Sequence, residues 1–268
     1  MLRYLSSGES HGKALVGIIE GMVAGLKVDK EEINRELKRR KQVYGRGQRA
    51  VFEEDKIEIL SGLINGKTIG APICLKLDNK DKKIETETIP RPGHADLSGC
   101  LKYNFQNIHL VAERASARET AMRVAIGMIA KILLHEFSVD FFSHTLKIGG
   151  VKSNIRLSDF DDNIKNERKK SEVYCLDKAS GIKMQQKIHE AIQKGDTVGG
   201  ECEILIKGLP PGIGSCVHYD RRLDYRLSGA LMSIPSVKAV EIGEGIQSGS
   251  MLGSNFHDAM SFNKGVVR

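Results

Sequence analysis

The longest helical pattern in the chain runs from about Ala112 to Phe137. There Ala117, Ala121, Val124, Ala125, Met128, Ile132 and Leu133 recur on one apolar stripe. Small residues on such a stripe let neighbouring elements approach closely, so this helix is expected at the centre of a core.

The elements around it alternate without a strict strand–helix–strand rhythm. Leu15 to Ile19 is a short β-branched run between Gly12 and Gly21 and reads as a buried strand. Asp29 is placed to cap a helix carrying Ile33 and Leu37 at i, i+4 and ending near Lys41. Strands are expected at Ile57 to Ser61, Ala71 to Leu77, Phe141 to Ile148, Glu201 to Ile206 and Val237 to Ile242. Further helices are expected at Ile182 to Lys194 and Arg222 to Ser233. Tyr44 to Arg49, Asn79 to Asp96 and Asp159 to Lys170 read as loops, and Met251 to Arg268 as a turn-rich stretch without a closing element. This mixture specifies an α+β fold, taken as a single domain over residues 1–268.

Forty-one Lys and Arg stand against 34 Asp and Glu, a net charge of +7 that favours an anionic partner without saying which. Aromatic residues make up only 5% and Trp is absent, so stacking platforms for single-stranded nucleic acid are scarce. The five cysteines are odd in number, widely spaced and without C-x-x-C or Cys/His zinc spacing. They are expected to be free, mostly packed thiols. With a short apolar run at the N-terminus and no membrane-length segment, a cytoplasmic location follows as the expectation. No metal site, P-loop, G-x-G-x-x-G fingerprint or nucleophile elbow is present.

Four segments carry groups suited to chemistry. Gly8-Glu9-Ser10-His11-Gly12 sets a carboxylate, a hydroxyl and an imidazole between glycines that allow close backbone approach; alone, it reads equally well as a plain turn. Arg39, Arg40, Arg46 and Arg49 gather guanidiniums suited to phosphate or carboxylate, or form a solvated basic face. In Arg91-Pro92-Gly93-His94-Ala95-Asp96, Asp96 is placed to orient His94. Arg114, Ser116, Arg118, Glu119 and Arg123 decorate the start of the long helix, where Arg123 is either an anion ligand or the ion-pair partner of Glu119.

In order and spacing these segments resemble the chorismate synthase family: Gly-Glu-Ser-His-Gly, Arg-Arg then Tyr-Gly-Arg-Gly, Arg-Pro-Gly-His-Ala-Asp, Glu113 to Thr120 followed by Arg123-Val124-Ala125, Gly195 to Gly200, and Leu231 to Gly243. The resemblance implies a layer of helices sandwiched between antiparallel sheets, assembled as a homotetramer. It also implies a lyase that eliminates phosphate from 5-enolpyruvylshikimate 3-phosphate in an anti-1,4 sense, requiring reduced FMN with no net redox change. By position, His11 and His94 are the implied proton donors, one serving the departing phosphate and the other the reduced flavin. Arg114, Ala115, Ser116, Pro235 and Ser236 match flavin-contacting segments. Arg40 and Arg46 match arginines linked to NADPH or an anionic substrate, while Ser10, Arg49 and Arg123 are implied substrate contacts. The family pattern continues beyond the segment matching Arg268, so a C-terminally truncated form is the expectation. A folded inactive remnant and a basic polyanion-binding module are the alternatives.

Overall fold

The computed structural model describes residues 2–45, 54–82, 86–157, 168–263 and 266–267. Two compact units divide the chain, residues 1–209 and 210–268.

The first unit opens with β1 (Arg3–Ser7) and β2 (Ala14–Glu20), antiparallel partners joined through the Gly8–Gly12 turn. Gly8 adopts φ 104, and a side chain there would run into the Ala14 carbonyl, so the turn demands glycine. Asp29 caps α1 (Lys30–Lys41) by accepting from the Glu31 N–H, and acidic first-turn and basic last-turn residues both oppose the helix dipole. After β3 (Glu58–Ser61) and the small hairpin β4 (Leu63–Ile64) and β5 (Lys67–Thr68) comes β6 (Ile73–Asp78). The resulting antiparallel sheet has the order β1-β2-β6-β3. Alternation along β2 and β6 turns Leu15, Ile19, Ile73, Leu75 and Leu77 to one buried face.

Against that face lie α1 and the long helix, but the long helix is not continuous. The span read as Ala112 to Phe137 is two helices, α3 (His109–Ala115) and α4 (Glu119–His135), preceded by a short α2 (Asp96–Tyr103). Ser116 is extended (φ −68, ψ 143) and its hydroxyl accepts from the Arg118 N–H, stopping one helix and starting the next. The buried stripe is also rotated from the one expected. Met122, Ile126 and Ile129 lie deep beside Ala121, Ala125 and Ile132, whereas Val124, Met128 and Leu133 are partly buried and Ala117 is exposed. Gly17 is what lets α4 settle so close, since a side chain there would lie 2.6 Å from the Met122 sulfur and 2.9 Å from Ile126 Cδ1.

A second antiparallel sheet, β8-β7-β9, is built from β7 (Asp140–Ile148), β8 (Val151–Lys152) and β9 (Gly200–Lys207). Since α4 contacts β1, β2 and β6 of one sheet and β7 of the other, the helices do form a layer between antiparallel sheets. Asp177 caps α5 (Lys178–Gln193), which begins four residues before the expected Ile182 and packs Met184 and Ile188 against Val173, Cys175, Ile148 and Val151.

The second unit holds a 3₁₀ turn (Tyr219–Arg221), α6 (Leu223–Met232), a 3₁₀ stretch (Gly245–Ser250), α7 (Gly253–Phe256) and a two-residue pairing of β10 (Phe262–Asn263) with β11 (Val266–Val267). The strand expected at Val237 to Ile242 is instead irregular, because among the described residues no strand lies beside it to take its backbone groups. The tail from Met251 therefore carries short elements where none was expected. The cysteines are free, yet only Cys175 is buried, and Cys202 and Cys216 are exposed. Among the described residues no helix is long and apolar enough to cross a membrane.

Candidate active site

The Gly8–Gly12 turn is fastened from two directions. Asn79, itself buried, donates through Nδ2 to the carbonyls of Glu9 (2.9 Å) and Gly12 (3.0 Å). From the other side the α3–α4 junction reaches across: the Ser10 N–H donates to the Glu113 carbonyl (2.9 Å), and the Ser10 hydroxyl donates to the Ser116 hydroxyl (3.1 Å). The Glu113 carboxylate accepts the His11 backbone N–H at 2.6 Å and lies 2.6 Å from His11 Nδ1. His11 Nε2 is 3.5 Å from an Asp81 carboxylate oxygen. The ring is thus held between two carboxylates while partly open to solvent.

The same junction organises the cations. Arg40, at the end of α1, donates to the Ala117 carbonyl (2.9 Å) and the Thr120 hydroxyl (2.9 and 3.2 Å), and approaches Asp55 at 3.9 Å. Buried Arg118 donates to Asp55 (2.5 Å) and to Asn79 Oδ1 (3.0 Å), which links α1, the sheet edge and the Gly8–Gly12 turn in one network. Asp55, Asn79 and Glu113 were not singled out as site residues in the sequence, and Arg118, expected among the anion-binding groups at the helix start, is instead buried on Asp55 and Asn79, as a charged side chain this deep requires partners. Arg114 stands exposed with one guanidinium nitrogen on the Ser6 carbonyl (2.9 Å) and hydroxyl (3.0 Å). Arg123 forms the ion pair with Glu119 (2.8 and 3.1 Å), and Glu119 in turn accepts from the Ser6 hydroxyl (2.7 Å).

His94 belongs to a second, local network at the start of α2. Its Nδ1 lies 2.5 Å from Asp96, whose fully buried carboxylate also accepts from Arg91 through Nε (2.8 Å), Nη2 (3.0 Å) and the backbone N–H (3.1 Å). Those Arg91 hydrogen bonds hold the Asp96 carboxyl far below the usual carboxylate range, so it remains an acceptor oriented on His94. Pro235 and Ser236 lie in the second unit, where Ser236 takes a left-handed φ of 71 that favours glycine or asparagine. Arg46 and Arg49 lie outside the described residues.

The structure therefore brings Ser10, His11, Ser116 and Arg40 together at one helix break, with Ala115 immediately before it. Arg114 on α3 and Arg123 on α4 stand over β1, the strand that feeds the turn, Arg114 directly on Ser6 and Arg123 through Glu119. Comparison with known proteins gives the same answer as the motif order. The chorismate synthase family profile matches residues 2–267. Chorismate synthase of Caldicellulosiruptor saccharolyticus is 46% identical over all of this chain and 74% of its own length. That of Bacillus pumilus is 42% identical over all of this chain and 74% of its own. A crystal structure of chorismate synthase superposes with a TM-score of 0.85 at 37% identity, covering 98% of this chain and 75% of that one. With the matched segments spread along the whole chain and the sandwich reproduced, the chain belongs to the chorismate synthase family.

Proposed function

We propose that this enzyme, a lyase that converts 5-enolpyruvylshikimate 3-phosphate to chorismate, runs its phosphate chemistry at the α3–α4 break, with His11 as the proton donor there. The docking of the Gly8–Gly12 turn onto that break carries the reading, because it joins the Ser10 and Ser116 hydroxyls, holds the His11 imidazole on Glu113 of the preceding helix, and has Arg40 on the Ala117 carbonyl next to Ser116. In the anti-1,4 elimination the C–O bond to phosphate breaks with its electron pair leaving on oxygen, and a ring proton departs from the opposite face. A His11 Nε2 proton offered to the phosphate oxygen, together with guanidiniums, stabilises the charge that develops there.

The donors present also suit a reduced FMN. Arg114 is exposed and uses one nitrogen on Ser6, leaving N–H groups for a phosphate or a flavin carbonyl, and Ala115 and Ser116 supply a small residue and a hydroxyl beside it. Pro235 and Ser236 match a further flavin-contacting segment of the family pattern. When bound, reduced flavin supplies an electron-rich surface that lends density to the substrate and recovers it. His94, oriented by Asp96, serves the proton balance on the flavin side, and Arg123 and Ser10 contact substrate with Arg49. Arg40 and Arg46 face NADPH or anionic substrate, four copies assemble, and the enzyme works in the cytoplasm.

An anaerobic assay with chemically reduced FMN, following chorismate by its ultraviolet absorbance, tests the roles. His11→Ala and His94→Ala should each lower kcat by about 10²–10⁴-fold, the usual worth of a general acid. Parent-level turnover in either variant overturns that histidine's assignment.

A further inference from the structure

Glu113 is buried, carries no expected role from the sequence, and spends both carboxylate oxygens on a single residue 102 positions away. Oε2 accepts the His11 backbone N–H, which fixes the turn, and Oε1 faces ring Nδ1, which fixes the imidazole. The Glu113 carbonyl accepts the neighbouring Ser10 N–H, so the helix and the turn are locked in register. A carboxylate only accepts hydrogen bonds; the ring nitrogen that faces it must therefore carry a proton. We propose that Glu113 is the positioning residue of His11: it fixes the Nδ1–H form of the ring, directs Nε2 at the reacting phosphate, and supports the imidazolium from which Nε2 donates. This rests on the assignment of His11 as the phosphate-side proton donor.

The chemistry makes glutamine an informative replacement. A glutamine has one accepting oxygen, and the His11 backbone N–H claims it. Its amide N–H₂ then faces Nδ1 and can only donate, so the neutral ring is forced to carry its proton on Nε2 and the doubly protonated ring is penalised. The carboxylate of Asp81, 3.5 Å from Nε2, lies on the other side of the ring and does not relieve that clash. An inverted tautomer is a known way for a correctly placed histidine to lose its function.

The test has a spectroscopic arm and a kinetic arm. In the first, ¹⁵N chemical shifts of the His11 ring, assigned by loss of the signals in His11→Asn, are read in the flavin-free chain. The parent should show Nδ1 protonated, and Glu113→Gln should move the neutral ring to the Nε2–H form. A parent ring with an unprotonated Nδ1 overturns the proposal whether or not any variant folds. In the second arm, Glu113→Gln with parent-like circular dichroism should lose about 10²-fold or more in kcat with KM changed less than threefold. The same substitution in a His11→Asn background should cost less than threefold further, because its effect passes through a ring no longer there. A full additional loss in that background, or parent kcat in Glu113→Gln, sinks the positioning role. Parent kcat in His11→Asn itself instead sinks the underlying assignment of His11.

Discussion

At the scale of single residues, buried carboxylates decide how the two histidines point. Asp96 takes three hydrogen bonds from Arg91 and one contact from His94 while fully buried. Its proton affinity is depressed in the folded state, so the stability it contributes is present above the ordinary value of 3.8 and is lost as pH falls through the folded value. Asp96→Asn should therefore flatten the acid limb of stability below about pH 4 and cost roughly 1–3 kcal/mol at neutral pH through donors left unpaired. Urea midpoints of parent and variant at pH 3, 5 and 7 check both; an acid limb as steep as the parent's would remove Asp96 from the account. Asp96 was legible as the partner of His94 because only Ala95 separates them. Glu113 was not legible as the partner of His11. A pairing across 102 residues leaves no local spacing, and near the start of the expected Ala112 to Phe137 helix it reads as an ordinary acid favoured by the helix dipole.

At the scale of elements, the strands and caps that depend on local pattern were readable. Asp29 and the alternation of β2 and β6 are cases where one residue or one period suffices. The helix break was missed because apolar residues continue through it. The signal was the Ser116-x-x-Glu119 spacing, in which an extended serine caps a new helix inside an otherwise helical stretch. The break is what presents Ser116 and sets the Ala117 carbonyl where Arg40 and Thr120 both donate to it, so the error lay at the functional position. The strand expected at Val237 to Ile242 failed for the opposite reason, since β-branched residues give a strand only where a partner stands beside them. The closeness of α4 to β2 gives an element-scale test. Gly17→Val would place methyl groups into Met122 and Ile126, so the helix must lift away, at a cost of about 1–3 kcal/mol. A urea midpoint unchanged from the parent would show that the helix does not need that approach.

At the scale of the whole molecule the question is what the charge of +7 is for. Much of the arginine is committed internally: Arg91 to Asp96, Arg118 and Arg40 to Asp55, Arg123 to Glu119, Arg3 to Glu20 and Arg222 to Asp224. Guanidiniums neutralised in pairs release few counterions from a polyanion, so they contribute little to salt-dependent affinity. The few aromatic side chains offer no compensation by stacking. A labelled single-stranded RNA followed by fluorescence anisotropy should then bind no more tightly than about 10⁻⁴–10⁻⁶ M at physiological salt, the ordinary nonspecific range, and be released as salt rises. Turnover of 5-enolpyruvylshikimate 3-phosphate should survive the same salt, because a small ligand enclosed by fixed donors is screened far less than an exposed basic face. Nanomolar RNA binding that persisted at high salt would mean that the lysines form a recognition surface, and the positive charge would then serve a partner other than the phosphorylated substrate.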